Sequence, residues 1–216
     1  MRHFWLKKEN NPNLILFFAG WGMDENPLKH IDSKGVDVLL IYDYNDLTLA
    51  ANLSQYAEIT VIAWSMGVLA ASIVCEKIHV TRAIAINGTQ NPIDVKFGIN
   101  PKLYQFTLDN LSEITRDKFF QNMFLDEKKY EKLQKPERNL ENQRKELANL
   151  QKIAQKTTEL KFDFDCAIIS TQDKIIPTKN QQRFWQTKKV KVVELNSGHY
   201  PFFELSSIEE ILDETL

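Results

Sequence analysis

A chain of 216 residues with 43% hydrophobic and 26% charged residues and a formal net charge of -2 has the composition of a folded globular protein, which excludes disordered and collagen-like classes. The length suits one well-buried core, so a single domain over residues 1–216 is expected. The longest apolar runs, Leu14 to Ala19 and Val38 to Ile41, are far shorter than a membrane span.

Met1 to Asn11 is charged from its second residue and lacks the apolar core of a secretory signal, so the cytoplasm is the expected compartment. Short aliphatic and β-branched runs then recur as candidate strands: Leu14 to Phe18, Val36 to Tyr42, Ile59 to Ala63, Arg82 to Ile86, Asp165 to Ser170 and Lys191 to Leu195. They show little polar alternation, as strands do in a parallel sheet covered on both faces. Met66 to Ile78 has three- and four-residue apolar spacing and reads as a helix between two of them. The repeated strand-helix order gives an α/β, mostly parallel, doubly wound sheet, with ligands bound at the carboxyl ends of its strands.

From about Pro101 to Leu160 the strands stop and amphipathic helices replace them, so this stretch reads as a helical lid insertion. In its last helix Pro136 suits an early position and Leu140, Leu147, Leu150 and Ile153 form a stripe. The segment from Lys96 to Lys161 holds 14 basic against 10 acidic residues, a basic stretch in an otherwise acidic chain. Beyond the last strand a Ser-x-x-Glu pattern, Ser206 with Glu209 or Ser207 with Glu210, starts a final helix. Cys75 and Cys166 imply no disulfide framework, and four scattered histidines build no zinc site, so neither a metal nor another cofactor is expected.

The strand Ile59 to Ala63 leads through Ala63-Trp64-Ser65-Met66-Gly67 into a helix, which sets Ser65 on a strand-to-helix turn. This is the context of a nucleophile elbow, where small flanking residues let a strained turn lift the hydroxyl clear of the sheet. Alanine takes the place of the first glycine of G-x-S-x-G. A serine needs a base, and His199, in the loop after the strand Lys191 to Leu195, is the histidine at the matching edge. Asp173 follows the preceding strand and supplies the carboxylate that orients an imidazole, completing the Ser, Asp, His order of the α/β-hydrolase fold. For the oxyanion the candidate donors are the backbone N–H of Met66 and that of Trp21, in the turn Ala19-Gly20-Trp21-Gly22. No Gly-Lys-Ser/Thr or G-x-G-x-x-G follows that turn, which argues against a nucleotide.

Together, Phe18-Ala19-Gly20-Trp21-Gly22-Met23-Asp24, Ala63-Trp64-Ser65-Met66-Gly67 and Ser197-Gly198-His199-Tyr200-Pro201-Phe202 resemble BioG-type pimeloyl-carrier-protein methyl ester esterases over nearly the whole chain. The resemblance implies a serine carboxylesterase that removes the methyl ester from pimeloyl-acyl carrier protein in biotin synthesis. It also implies an acyl carrier protein as partner, with no nucleic acid and no membrane. Carrier proteins are acidic, so Arg116, Arg138, Arg144 and Lys145 of the basic segment are candidate carrier contacts. Phe119, Phe120, Met123 and Phe124 are candidates for lining an acyl channel. A general carboxylesterase or thioesterase, or a noncatalytic binder of the same fold, remains an alternative on sequence alone.

Overall fold

Each of these apolar runs becomes a strand in the computed structural model, which describes residues 1–216. After an initial strand β1 (Arg2–Lys7) come β2 (Asn13–Phe18), β3 (Asp37–Tyr42), β4 (Glu58–Trp64), β5 (Arg82–Ile86), β6 (Cys166–Ser170) and β7 (Lys191–Leu195). The seven form one sheet in the order β1-β3-β2-β4-β5-β6-β7. All neighbours are parallel except β1, which runs antiparallel to β3. Strand β1 has no counterpart among the apolar runs, because its exposed and half-exposed side chains, charged at both ends, give an edge strand little apolar signature.

Successive strand residues face opposite sides. Leu14, Leu16 and Phe18 pack with Val68 and Ala71 of α1 (Gly67–Val74) and Trp185 of α6 (Thr178–Lys188). Ile15 and Phe17 pack on the other side with Leu28 and with Ile208 and Ile211 of α7 (Ile208–Asp213). In-step pairing of Phe18 with Ile41 and Ala63, of Trp64 with Ile86 and of Ser170 with Leu195 brings the ends of the parallel strands to one edge. Helix α1 is shorter than the sequence suggests, continuing as a 3-10 turn over Cys75–Lys77.

Between β5 and β6 the insertion folds as α2 (Pro101–Asp109), α3 (Glu113–Asn122), α4 (Glu127–Glu131) and α5 (Leu140–Lys156). Side chains of Asn100, Ser112, Asp126 and Asn139 cap these helices, each accepting a first-turn N–H. Pro136 lies before α5 rather than in it, because Asn139 starts the helix and the preceding Glu137 N–H is committed to Asp24 Oδ2 at 2.7 Å. The terminal capping box is Ser207 with Glu210.

Asp37 is fully buried at the start of β3. It accepts from the N–H groups of Glu9 (2.7 Å) and Asn11 (3.3 Å) and from the Tyr56 hydroxyl (2.9 Å). Burial pushes its pKa up, but these donors outweigh burial and leave the carboxyl below its usual value. A lowered folded-state pKa stabilises the fold above the unfolded value of about 3.9 and loses that contribution as pH falls through the folded value. Urea unfolding of Asp37→Asn is therefore expected to show lower stability than wild type near neutrality, with the gap closing toward about pH 3. A constant gap would show that the charge contributes nothing.

Candidate active site

Close backbone contacts shape the turn after β4. Ser65 adopts φ 58°, a left-handed conformation that costs a non-glycine residue energy. Its N–H donates to the Ile86 carbonyl at 2.9 Å. A Cβ on Gly67 would stand 2.5 Å from the carbonyl oxygens of Phe18 and Ala19, and one on Gly88 would stand 2.5 Å from that of Ser65. Two bare α-carbons thus let β2, β4 and β5 close around the hydroxyl.

The loop after β7 delivers His199, whose Nε2 lies 2.8 Å from Ser65 Oγ and whose Nδ1 lies 2.7 Å from Asp173 Oδ2. Asp173 only accepts, so the proton of the neutral ring belongs on Nδ1 and Nε2 is left to accept from the serine. The other Asp173 oxygen accepts from the N–H groups of Ile175 and Ile176, and Gln181 of α6 donates to Oδ2 at 2.9 Å. The carbonyl of His199 is gripped by Trp64 Nε1 at 2.9 Å and Asn87 Nδ2 at 3.0 Å. The structure brings Ser65, His199 and Asp173 into one buried row. His30 is engaged elsewhere, on the carbonyl of Phe202.

Neither the Trp21 N–H nor the Met66 N–H has an acceptor within the chain. Met66 is the N-cap of α1, where the positive end of the helix dipole favours developing negative charge. A cavity of about 180 Å³ opens over Ser65 and His199, walled by Trp21, Ile99, Leu103, Tyr104, Met123 and Leu147 among others. Phe119 and Met123 line it, whereas Phe120 and Phe124 do not. Phe120 is buried with its ring 6.4 Å from that of Trp21, and Phe124 stacks on Tyr200 at 5.0 Å. Those two aromatics hold the insertion to the body of the protein.

The proposed carrier contacts also divide. Arg138 is 8% exposed and ion-pairs with Glu146 at 2.8 Å and Asp43 at 3.1 Å, so it cannot meet a partner. Arg144 directs its guanidinium to the carbonyls of Leu108 and Leu111, which ties α5 to the end of α2. Arg116 is half-buried against Gln143 Oε1. Only Lys145 projects into solvent, beside Glu141 at 3.7 Å. A charge count treats all cations as solvated, and here three of four have internal work.

Sequence reasoning missed Gln143 and Glu146, both fully buried on α5, and Asn87 and Gln181 beside the His199–Asp173 pair. The first two carried a signal: they share the helix face of Leu147 and Leu150, so polar groups interrupt an apolar stripe.

A mostly parallel sheet with a serine at the β4–α1 turn, a histidine after β7 and a carboxylate after β6 defines the chain as an α/β-hydrolase of the esterase kind. It belongs to the family of pimeloyl-ACP methyl esterases BioG, which it matches over residues 2–211. The crystal structure of BioG from Haemophilus influenzae superimposes with a TM-score of 0.91 at 34% identity, covering 97% of this chain and 98% of that one. An esterase from Exiguobacterium antarcticum shares the fold, at TM-score 0.64 and 14% identity over 99% of this chain and 92% of its own. A malonyl-[acyl-carrier protein] O-methyltransferase from Bacteroides fragilis is 37% identical over 207 residues, 94% of this chain. The match takes in 41% of that relative, so the chain spans less than half its length.

Gly67→Ala is expected to cost about 1–3 kcal/mol, the usual range for forcing extra carbon into a packed site, because the obstructing atoms are backbone. Chemical denaturation measures it, and an unchanged midpoint would contradict the tight approach.

Proposed function

We propose that this protein hydrolyses the ω-methyl ester of pimeloyl-acyl carrier protein, with Ser65 as nucleophile, His199 as base and Asp173 as its orienting carboxylate. The observation that carries the reading is the Ser65–His199–Asp173 hydrogen-bond row at the floor of a largely apolar cavity. In the first half-reaction Ser65 Oγ attacks the ester carbonyl carbon while His199 Nε2 takes its proton. The carbonyl oxygen becomes an oxyanion facing the N–H groups of Met66 and Trp21. Collapse expels methanol, which receives the proton from His199, and leaves the acyl group esterified to Ser65. Water, deprotonated by His199, then attacks the same carbon and releases the free carboxylate and the serine.

The cavity, at about 180 Å³, is smaller than pockets for drug-sized ligands, which span roughly 300–1,000 Å³. It suits the end of an acyl chain whose remainder stays with its carrier outside. The Bacteroides fragilis relative is named for methyl transfer to a carrier-linked acyl group, the reverse change at the same kind of carboxyl. The same reading places the protein in the cytoplasm as one hydrolase domain, with residues 101–160 as the cover over its site. Carrier contact would fall to exposed cations of that cover, Lys145 and Lys118 among them.

Ser65→Ala and His199→Ala are each expected to fall roughly 10⁴–10⁶-fold in ester turnover while remaining folded, since groups acting as a unit fail together. Incubation with methyl-pimeloyl carrier protein, followed by mass measurement, should show loss of one methylene's mass in wild type and none in Ser65→Ala. Retention of the ester by the wild-type enzyme, with a small p-nitrophenyl ester still cleaved, would leave a general carboxylesterase instead. Lys145→Glu is expected to raise KM for the carrier-linked substrate several-fold and to leave the small ester unaffected. Equal effects on both substrates would remove the electrostatic role.

A further inference from the structure

The turn carrying Trp21 does not hold itself. Gly22 has φ +79°, the region where glycine lets neighbouring peptides reorient at little cost. Instead, both backbone groups of Gly22 and the Trp21 indole are met by the distant helix α5. Gly22 N–H donates to Glu146 Oε2 at 3.1 Å, and Gln143 Nε2 donates to the Gly22 carbonyl at 2.8 Å. Trp21 Nε1 donates to the Gln143 carbonyl at 2.8 Å. Arg138, which pairs with Glu146, also reaches the Met23 carbonyl at 3.0 Å. The second oxygen of Glu146 accepts from the Tyr44 N–H at 2.9 Å, and the Tyr44 hydroxyl donates to Ala19 O at 2.7 Å.

A fully buried carboxylate is a costly device for joining a helix to a loop. Burial raises the Glu146 pKa, opposed by Arg138 and by the two N–H groups. What this arrangement achieves, and an apolar contact could not, is direction: hydrogen bonds fix how a peptide plane is turned, whereas packing fixes only where it sits. We infer that Gln143 and Glu146 are positioning residues for oxyanion stabilisation: from α5 of the insertion they fix the two peptides that flank Gly22, and through them the adjoining peptide that carries the Trp21 N–H. They touch no substrate and act through the turn. The inference rests on the esterase reading above, in which the Trp21 N–H meets the oxyanion.

Transition-state stabilisation separates this role from mere support. Gln143→Met keeps the volume of the buried side chain and removes the hydrogen bonds of its amide, to the Gly22 carbonyl and from Arg116, and Glu146→Gln keeps the shape while removing the charge. For a p-nitrophenyl ester each is expected to lower kcat about 10–1,000-fold with KM within about twofold. The inhibition constant of a boronic acid, which forms a tetrahedral adduct on serine, should rise by the same factor as kcat/KM falls. Binding of the carboxylate product, a ground-state ligand, should change little. Should Glu146→Gln prove too unstable to assay, Gln143→Met decides the matter alone. Variants with lowered thermal midpoints but wild-type kcat and boronate affinity would overturn the inference while leaving the esterase reading intact. A wild-type enzyme that cleaves no ester and forms no boronate adduct would overturn both.

Discussion

The site is built outward from one strained residue. Ser65 holds a left-handed backbone because Gly67 lets the carbonyls of Phe18 and Ala19 come within the space of a methyl group and because Ile86 takes its N–H. That packing fixes the hydroxyl relative to β2, β4 and β5 at once. The parallel register brings the other loops to the same rim, so His199 and Asp173 arrive without special contortion. Strain at the serine is sustained by the close-packed, buried centre of the sheet.

Around this rigid floor the helical insertion does more than cover the cavity. It contributes Met123, whose carbonyl accepts the Tyr200 N–H at 3.1 Å next to His199, and α5, which grips Trp21 and Gly22. The Met123 carbonyl lies so close to Gly198 that a Cβ there would stand 2.5 Å away. Two of the three loops over the floor, those of Trp21 and His199, are therefore braced from above by the insertion. The third, with Asp173, is braced by Gln181 of α6.

What could be read from the sequence follows from how local each signal is. Buried parallel strands write themselves as unbroken apolar runs, and the carboxyl ends of three of them carry Ser65, Asp173 and His199, so both the sheet and the meeting of those residues were legible. The edge strand β1 was not, because its identity lies in pairing with β3 rather than in its own residues. Nor was the fate of Arg138 and Arg144 legible. Whether a cation faces water depends on Asp43, Glu146 and the helix-end carbonyls that the fold brings to it. Phe120 and Phe124 failed as cavity residues for the same reason: an apolar cluster on a helix says that something is covered, and only the fold says what.

The dependence of the Trp21 turn on residues of α5 bears on how this fold can be altered. The loop and the helix that holds it are separated by more than 100 positions in the chain, with Gly22 and Glu146 marking the two ends. Exchanging the segment between β5 and β6 for that of another hydrolase, the obvious route to new acyl selectivity, would discard the carboxylate and amide along with the cavity wall. A chimera that retains α5 together with the Met123 turn and replaces only α2 keeps both braces and changes only the part of the chamber wall that Leu103, Tyr104 and Thr107 form.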